Sequence, residues 1–167
     1  GAGDDLTTGG TNVIIGADAG SSLTTDTRVT AIGYVAAQYM TGAVGARYNT
    51  IMGYGTGYQS GKGIHQTYIG DTAGNYATGS YNTFVGSAAG KGGTTSAPYS
   101  SGESNTALGY QALSAFTTGA KNIAIGRWSL LSLTTGNDNI AIGAYAGDAM
   151  TDNSNNTVVG YYAFTTA

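Results

Sequence analysis

The stretch "NIAIG" stands at residues 122–126 and again, unchanged, at 139–143, an interval of 17 residues. Repetition at a fixed period marks a chain built from stacked units rather than from one mixed core. Working outward from this pair extends it to nine copies: NVIIG from 12, VTAIG from 29, NTIMG from 49, QTYIG from 66, NTFVG from 82, NTALG from 105, NIAIG from 122 and from 139, and NTVVG from 156. The start-to-start intervals are 17, 20, 17, 16, 23, 17, 17 and 17, so the two long ones are a period plus three or six inserted residues. Residues 1–167 therefore read as a single repeat domain.

Each position of the unit has a physical reading. The fifth is glycine in every copy: Gly16, Gly33, Gly53, Gly70, Gly86, Gly109, Gly126, Gly143 and Gly160. Such uniformity implies a positive φ, or a neighbouring backbone that leaves no room for a β-carbon. These are structural corner glycines. Three residues further on the side chain is always small, as at Ala19, Thr56, Ala73 and Ser129. Gly, Asp or Asn precedes the unit by three residues in eight copies, often within "TTG", which is turn chemistry. Gly119, in one such turn, is expected to tolerate Asn where Gly126 does not tolerate Val. The unit predicts a short strand, a glycine corner, a second short extended piece and a turn. Seventeen residues are too few for a helix pair, and no 3.6-residue apolar period is present. The expected fold is all-β: a parallel β-solenoid with one coil per repeat. At about 4.7–4.9 Å per coil, the rod would be on the order of 43 Å long.

Stacking predicts a further feature. Asn opens the unit in seven copies, so its side chains would lie above one another and exchange amide hydrogen bonds. The third and fourth positions are adjacent on a strand and face opposite sides. Both are apolar. The fourth is Ile, Val, Leu or Met, and the third is Ala in four copies. The smaller third position is assigned here to the outer face, the fourth to the interior. An unbroken apolar stripe along a rod marks an interface. The expectation is a homo-oligomer, a trimer in its simplest closed form. The two ends carry no polar capping repeat, and "AFTTA" at the end with "GAGDDLTTGGTN" at the start together complete a unit. That predicts either head-to-tail addition or a segment of a longer fibre, consistent with a first residue, Gly1, that is not Met.

Composition limits the alternatives. Only 27 of 167 residues are Leu, Ile, Val or Phe and 29 are glycine, so a conventional core would struggle against the entropy of ordering the chain. The net charge is −3, too small to hold the chain open by repulsion. There is no cysteine, hence no disulfide and no thiolate metal site. Six basic residues scattered among nine acidic ones make no nucleic-acid footprint. No apolar run approaches a membrane span, and no signal-peptide pattern is present.

The residues "NTALGYQALSAFTTGAKNIAIG" (105–126) resemble the N-T-A-I-G-x-x-A-L repeats, with a T-T-G turn, of phage tail fibres and related surface fibres. The N-T-A-I-G core is also similar to the N-S-x-A-I-G repeats in the heads of trimeric autotransporter adhesins, whose unit is shorter than 17 residues. The resemblance spans residues 6–166 in register. It implies an extracellular, cell-surface or virion location and a fibrous structural role. It brings no catalytic or ligand-binding residue with it.

No catalytic constellation is visible, so an enzyme is not expected, nor any metal or cofactor. His65 is the only histidine and has no carboxylate recurring beside it. "GYGTGYQSGKG" (53–63) is similar to a phosphate loop, but Gly63 follows Lys62 where Ser or Thr is needed. Asn155 opens a glycosylation sequon at a repeat boundary. A threonine array for ice fails, because the series Thr7, Thr24, Val44, Gly61, Ala77, Ser100, Thr117, Thr134, Thr151 is broken in its middle. Two segments leave the rhythm: 37–48, and 91–104 with the only proline. Insertions emerge as loops, and loops carry recognition. Tyr39, Tyr48, Pro98 and Tyr99 are the candidate contact residues, for a neighbouring fibre or for surface glycans. The leading function is a structural fibre subunit. The alternative is an adhesin that contacts glycans through these insertions.

Overall fold

The computed structural model describes residues 1–42 and 45–165. Val44 of the turn series and the last two residues of the terminal "AFTTA" lie outside them. Nine strands form one parallel sheet in chain order: β1 (Val13–Ile15), β2 (Thr27–Ile32), β3 (Ala46–Met52), β4 (Thr67–Ile69), β5 (Thr83–Val85), β6 (Thr106–Leu108), β7 (Ile123–Ile125), β8 (Ile140–Ile142) and β9 (Thr157–Val159). Each strand is one edge of a coil, and the chain is a β-solenoid of nine coils. The register follows the repeat: Ala107 pairs with Ala124, Ala124 with Ala141, and Phe84 with Ala107 across the 23-residue interval. The six extra residues are thus excluded from the stack. Between β2 and β3 the register slips once, between Thr27 and Val29, where one of the three extra residues enters.

The corner glycines all have positive φ, from 123° at Gly16 to 135° at Gly53. That region is nearly closed to other residues. A β-carbon at Gly126 would also lie 2.5 Å from the Gly143 carbonyl oxygen, and at Gly86 2.7 Å from that of Gly109. Both reasons for glycine therefore apply at once. The turn glycines are no freer. A β-carbon on Gly119 would meet the Gly136 carbonyl oxygen at 2.6 Å, so the expected tolerance of Asn there is overturned. The turn stacks as closely on the next coil as the corner does.

The second face of the coil is not extended, contrary to expectation. It is a run of turns in which positive-φ residues alternate with ordinary ones: Val35 (49°) then Ala37 (54°), Gln111 (53°) then Leu113 (52°), Trp128 (60°) then Leu130 (48°). Alternate amides close turns inside the coil, as Ala36 to Gly33 and Met40 to Ala37. The others reach the next coil, as Ala37 to Thr56 and Tyr39 to Tyr58. The residue before each five-residue unit also has positive φ, at Arg28, Tyr48, His65, Lys121 and their equivalents in every coil.

The interior corrects a second expectation. The third position of the unit points inward: Ala31, Ile51, Tyr68, Phe84, Ala107, Ala124 and Ala141 are fully buried. The fourth points out. The reason lies across the coil at the ninth position. Where the third residue is large, the ninth is glycine: Ile51 with Gly57, Tyr68 with Gly74, Phe84 with Gly90. A β-carbon on Gly74 would strike the Tyr68 ring at 2.5 Å. Where the third is alanine in coils 6 and 7, the ninth is Leu113 or Leu130, both fully buried. In coils 3 to 7 the two positions thus trade volume, as dense packing demands.

Candidate functional site

The Asn column forms a ladder. The Asn122 Oδ1 accepts the backbone N–H of Asn139 at 3.0 Å and its Nδ2 at 3.0 Å, while Asn122 Nδ2 donates to the Gly136 carbonyl at 2.9 Å. The same pattern runs from Asn105 to Asn156. In the third and fourth coils Asn49 and Gln66 continue it, with Asn49 Nδ2 to Gln66 Oε1 at 3.1 Å. Val29 receives the ladder, its N–H donating to Asn12 Oδ1 at 2.9 Å, but has no carboxamide to pass it on. Beside that gap a buried ion pair stands in: Arg47 Nε donates to Asp26 Oδ1 at 2.8 Å, and Arg47 Nη1 to the Gly61 carbonyl at 2.8 Å. These groups lie inside and serve the rod itself.

The outer face of the sheet carries the second and fourth positions. The fourth is aliphatic throughout, and Ile15, Met52, Ile69, Leu108, Ile142 and Val159 are exposed, Val159 to 64%. The second presents Thr30, Thr50, Thr67, Thr83 and Thr106 in consecutive coils, with Val13 before them and Ile123, Ile140 and Thr157 after. This unbroken threonine column lies on the strand, not in the turn series where sequence reading looked for it. Flanked by aliphatic side chains, it makes the face amphipathic rather than a pure hydroxyl array.

Aromatic side chains build separate columns. Arg28 lies 5.0 Å from the centre of the Tyr48 ring, Tyr48 stacks on His65 at 4.8 Å, and His65 on Tyr81 at 5.3 Å. His65 is therefore a rung between two rings. Near the other end of the rod, Arg127 sits 3.7 Å from the Trp128 ring, and Trp128 packs edge-on to Tyr145 at 4.8 Å. On the turn face, Tyr39 meets Tyr58 edge-on at 4.9 Å, and Tyr76 stacks on Tyr99 at 6.0 Å. Burial and the neighbouring Tyr39 raise the Tyr58 phenol above its ordinary pKa.

Of the four predicted contact residues, Tyr39 and Tyr99 flank one side of the rod, with Tyr58 and Tyr76 between them. Tyr48 belongs to the Arg28 column instead, and Pro98 is exposed at the tip of its loop. Sequence reading passed over Tyr34, Tyr54, Tyr58 and Tyr76 because they sit inside regular units. Aligning the sixth position, where Tyr34 and Tyr54 fall in consecutive coils, was the available signal. Residues 53–63 form the turn face of coil 3, with no helix behind them. Asn155 is exposed, at φ 62°, just before β9. Among the described residues no three His, Cys, Asp or Glu side chains are grouped to hold a metal ion, and no helix is long and apolar enough to cross a membrane.

The fold and its surfaces define a parallel β-solenoid with two chemically distinct faces. Comparison with protein-family models, with characterised proteins and with solved structures gives no match.

Proposed function

We propose that this chain is a structural subunit or segment of an extracellular, cell-surface or virion fibre, and that copies associate through the outer face of the sheet. One observation carries the reading. Nine successive coils place an aliphatic side chain at the same outward position, giving an apolar strip about 40 Å long. Nothing among the described residues covers it, and exposed strips of this kind mark interfaces. Every copy bears the same strip, so packing identical rods around one axis hides it, and three rods are the simplest closed bundle after two. The interior supplies a reason for a fibre as well: ladder hydrogen bonds and stacked carbonyls run along the axis from coil to coil, which suits a stiff rod. Light scattering tests the association. The expected mass is a multiple of 16.7 kDa, three for the closed bundle. A mass of 16.7 kDa at high protein concentration removes the reading.

A further inference from the structure

Coils 2 to 4 carry a feature their neighbours lack. On the turn face, away from the sheet, Tyr34 and Tyr54 form one wall and Tyr58 and Tyr76 the other. Between them the floor is small: Val35, Gly55 and Thr72 occupy successive rungs. The groove so made encloses about 370 Å³, within the range of small-ligand sites.

Two ring stacks stop at its edges. Tyr34 lies on Tyr54 at 5.6 Å and 21°, but the next residue of that column is Asp71, so the far face of Tyr54 has no ring against it. From the other direction Tyr99 covers one face of Tyr76 at 6.0 Å and 14°, which turns the opposite face toward coil 3. Tyr58 offers no ring to it, being engaged edge-on with Tyr39. Tyr54 and Tyr76 are thus each stacked by a ring on one side only, and both line the groove.

The polar groups are neutral or acidic. Asn75 is 8% exposed, and its Nδ2 donates to the Gly55 carbonyl at 2.7 Å, which fixes the carboxamide and leaves Oδ1 to accept. Gln38 and the Tyr58 and Tyr76 phenols add donors and acceptors. Asp18 adds a carboxylate, and among the described residues no Lys or Arg lines the groove. Backbone edges are absent too: the Gly55 and Gly57 amides are bonded to the Tyr34 and Ala73 carbonyls of adjacent coils. A peptide strand would find nothing to pair with.

We propose that this groove binds a short neutral glycan, with the C–H face of one sugar ring against Tyr54 and hydroxyls held by Asn75, Gln38 and the Tyr58 and Tyr76 phenols. Aromatic faces suit the apolar side of a pyranose, and fixed carboxamides suit its hydroxyls. Asp18, whose Oδ1 lies 3.3 Å from the Gly1 ammonium, puts a carboxylate at the groove, and no Lys or Arg among its lining residues is there to draw in an acidic sugar. Apart from Gln38, at the start of the 37–48 segment, the site lies on regular coils. It lies past the glycine corner, on the turn side of the coil rather than on the sheet face.

The test is a glycan array of neutral and sialylated structures, followed by calorimetry of the best neutral hit. Tyr54→Ala, Tyr76→Ala and Tyr54→Trp are compared with Tyr161→Ala at the far end of the rod. Tyr54 is 59% exposed, so its replacement leaves the fold intact, which circular dichroism verifies. Loss of one aromatic face should weaken binding about tenfold, and retention of a ring in Tyr54→Trp should preserve it. Tyr161→Ala should bind as the parent does. Silence across the neutral glycans overturns the proposal. So does unchanged binding by both Tyr54→Ala and Tyr76→Ala, or equal affinity for the sialylated form of the same glycan.

Discussion

A β-carbon on Gly126 would sit 2.5 Å from the Gly143 carbonyl oxygen, at a φ of 125° that side chains rarely adopt. Gly126→Val should therefore cost about 3 kcal/mol or more, at the severe end for single substitutions. Gly10 is the right control, since nothing lies within 4 Å of its β-carbon position and its φ is ordinary. Gly10→Ala should leave the melting temperature unchanged, and equal losses in the two variants would defeat the corner assignment. Tyr68 offers a second test at this scale. Its ring is fully buried on Phe84 at 5.0 Å, and its hydroxyl has no hydrogen-bond partner. Burial pushes the phenol well above its ordinary pKa; nearby Asn82 opposes this only weakly, because its Nδ2 is already committed to the Gly79 and Gly102 carbonyls. The neutral phenol is the form the fold favours. Its contribution is whole below pH about 10 and drains away as pH rises from there through the folded-state value, because only the unfolded chain ionises readily. Tyr68→Phe should be as stable as the parent or more so at neutral pH, and should lose less stability in alkali. Denaturant melts at pH 7 and above pH 10 measure both, and an unchanged alkaline slope counts against the account.

The Asn ladder is the element that ties one strand start to the next. Asn122→Leu would strand the buried Asn139 N–H and remove a donor from the Gly136 carbonyl. Each stranded group costs about 1–3 kcal/mol, so a loss on the order of 3 kcal/mol is expected in the urea midpoint. Asn156→Leu, in a half-buried end position, should cost under about 1 kcal/mol, since water reaches the groups it frees. Similar losses in the two would mean that the ladder is decoration. The insertion in coil 5 belongs to this scale as well. The Gly93 amide and the Ser100 hydroxyl both donate to the Phe116 carbonyl, at 2.7 and 2.8 Å, so the two ends of the insertion lie side by side. Deleting residues 94–99 restores an interval of 17 and should shift stability by less than about 1 kcal/mol. Loss of cooperative unfolding in the deletion would show that the loop braces the stack.

For the whole molecule, the decisive variants are those that separate the inner face from the outer. Ile125→Glu with Ile142→Glu puts two carboxylates on the proposed interface while leaving the coil interior untouched. In an assembly their desolvation costs several kcal/mol each, so the bundle should fall apart into folded 16.7 kDa rods. Ala124→Glu with Ala141→Glu places the same charges inside coils 7 and 8, where both alanines are fully buried, and should abolish folding. Light scattering with circular dichroism distinguishes the two results. A folded Ala124/Ala141 double variant would reverse the assignment of faces. An Ile125/Ile142 double variant with the parent's mass and melting temperature would leave the apolar strip without a role.

The nine-coil stack, its parallel register and the glycine corners were legible in the sequence, because a period read nine times is a statement about neighbours as well as about the unit. The Asn ladder was legible for the same reason: identical side chains at identical rungs can only meet one another. Three things were decided by the tertiary structure. The first is which side of the strand faces in. Ala124 and Phe84 occupy one column, and a column that varies so much in size looks solvent-facing until Leu130 and Gly90 are found opposite, restoring the volume. The second is the left-handed backbone at Arg28, Lys121, Val35 and Trp128. None of these residues prefers it, and the run of cross-coil hydrogen bonds holds them there against their local preference. The third is the groove of coils 2 to 4. Tyr34, Tyr54, Tyr58 and Tyr76 lie as far as 42 residues apart in the chain, and only the coiling of the backbone brings their rings to one place.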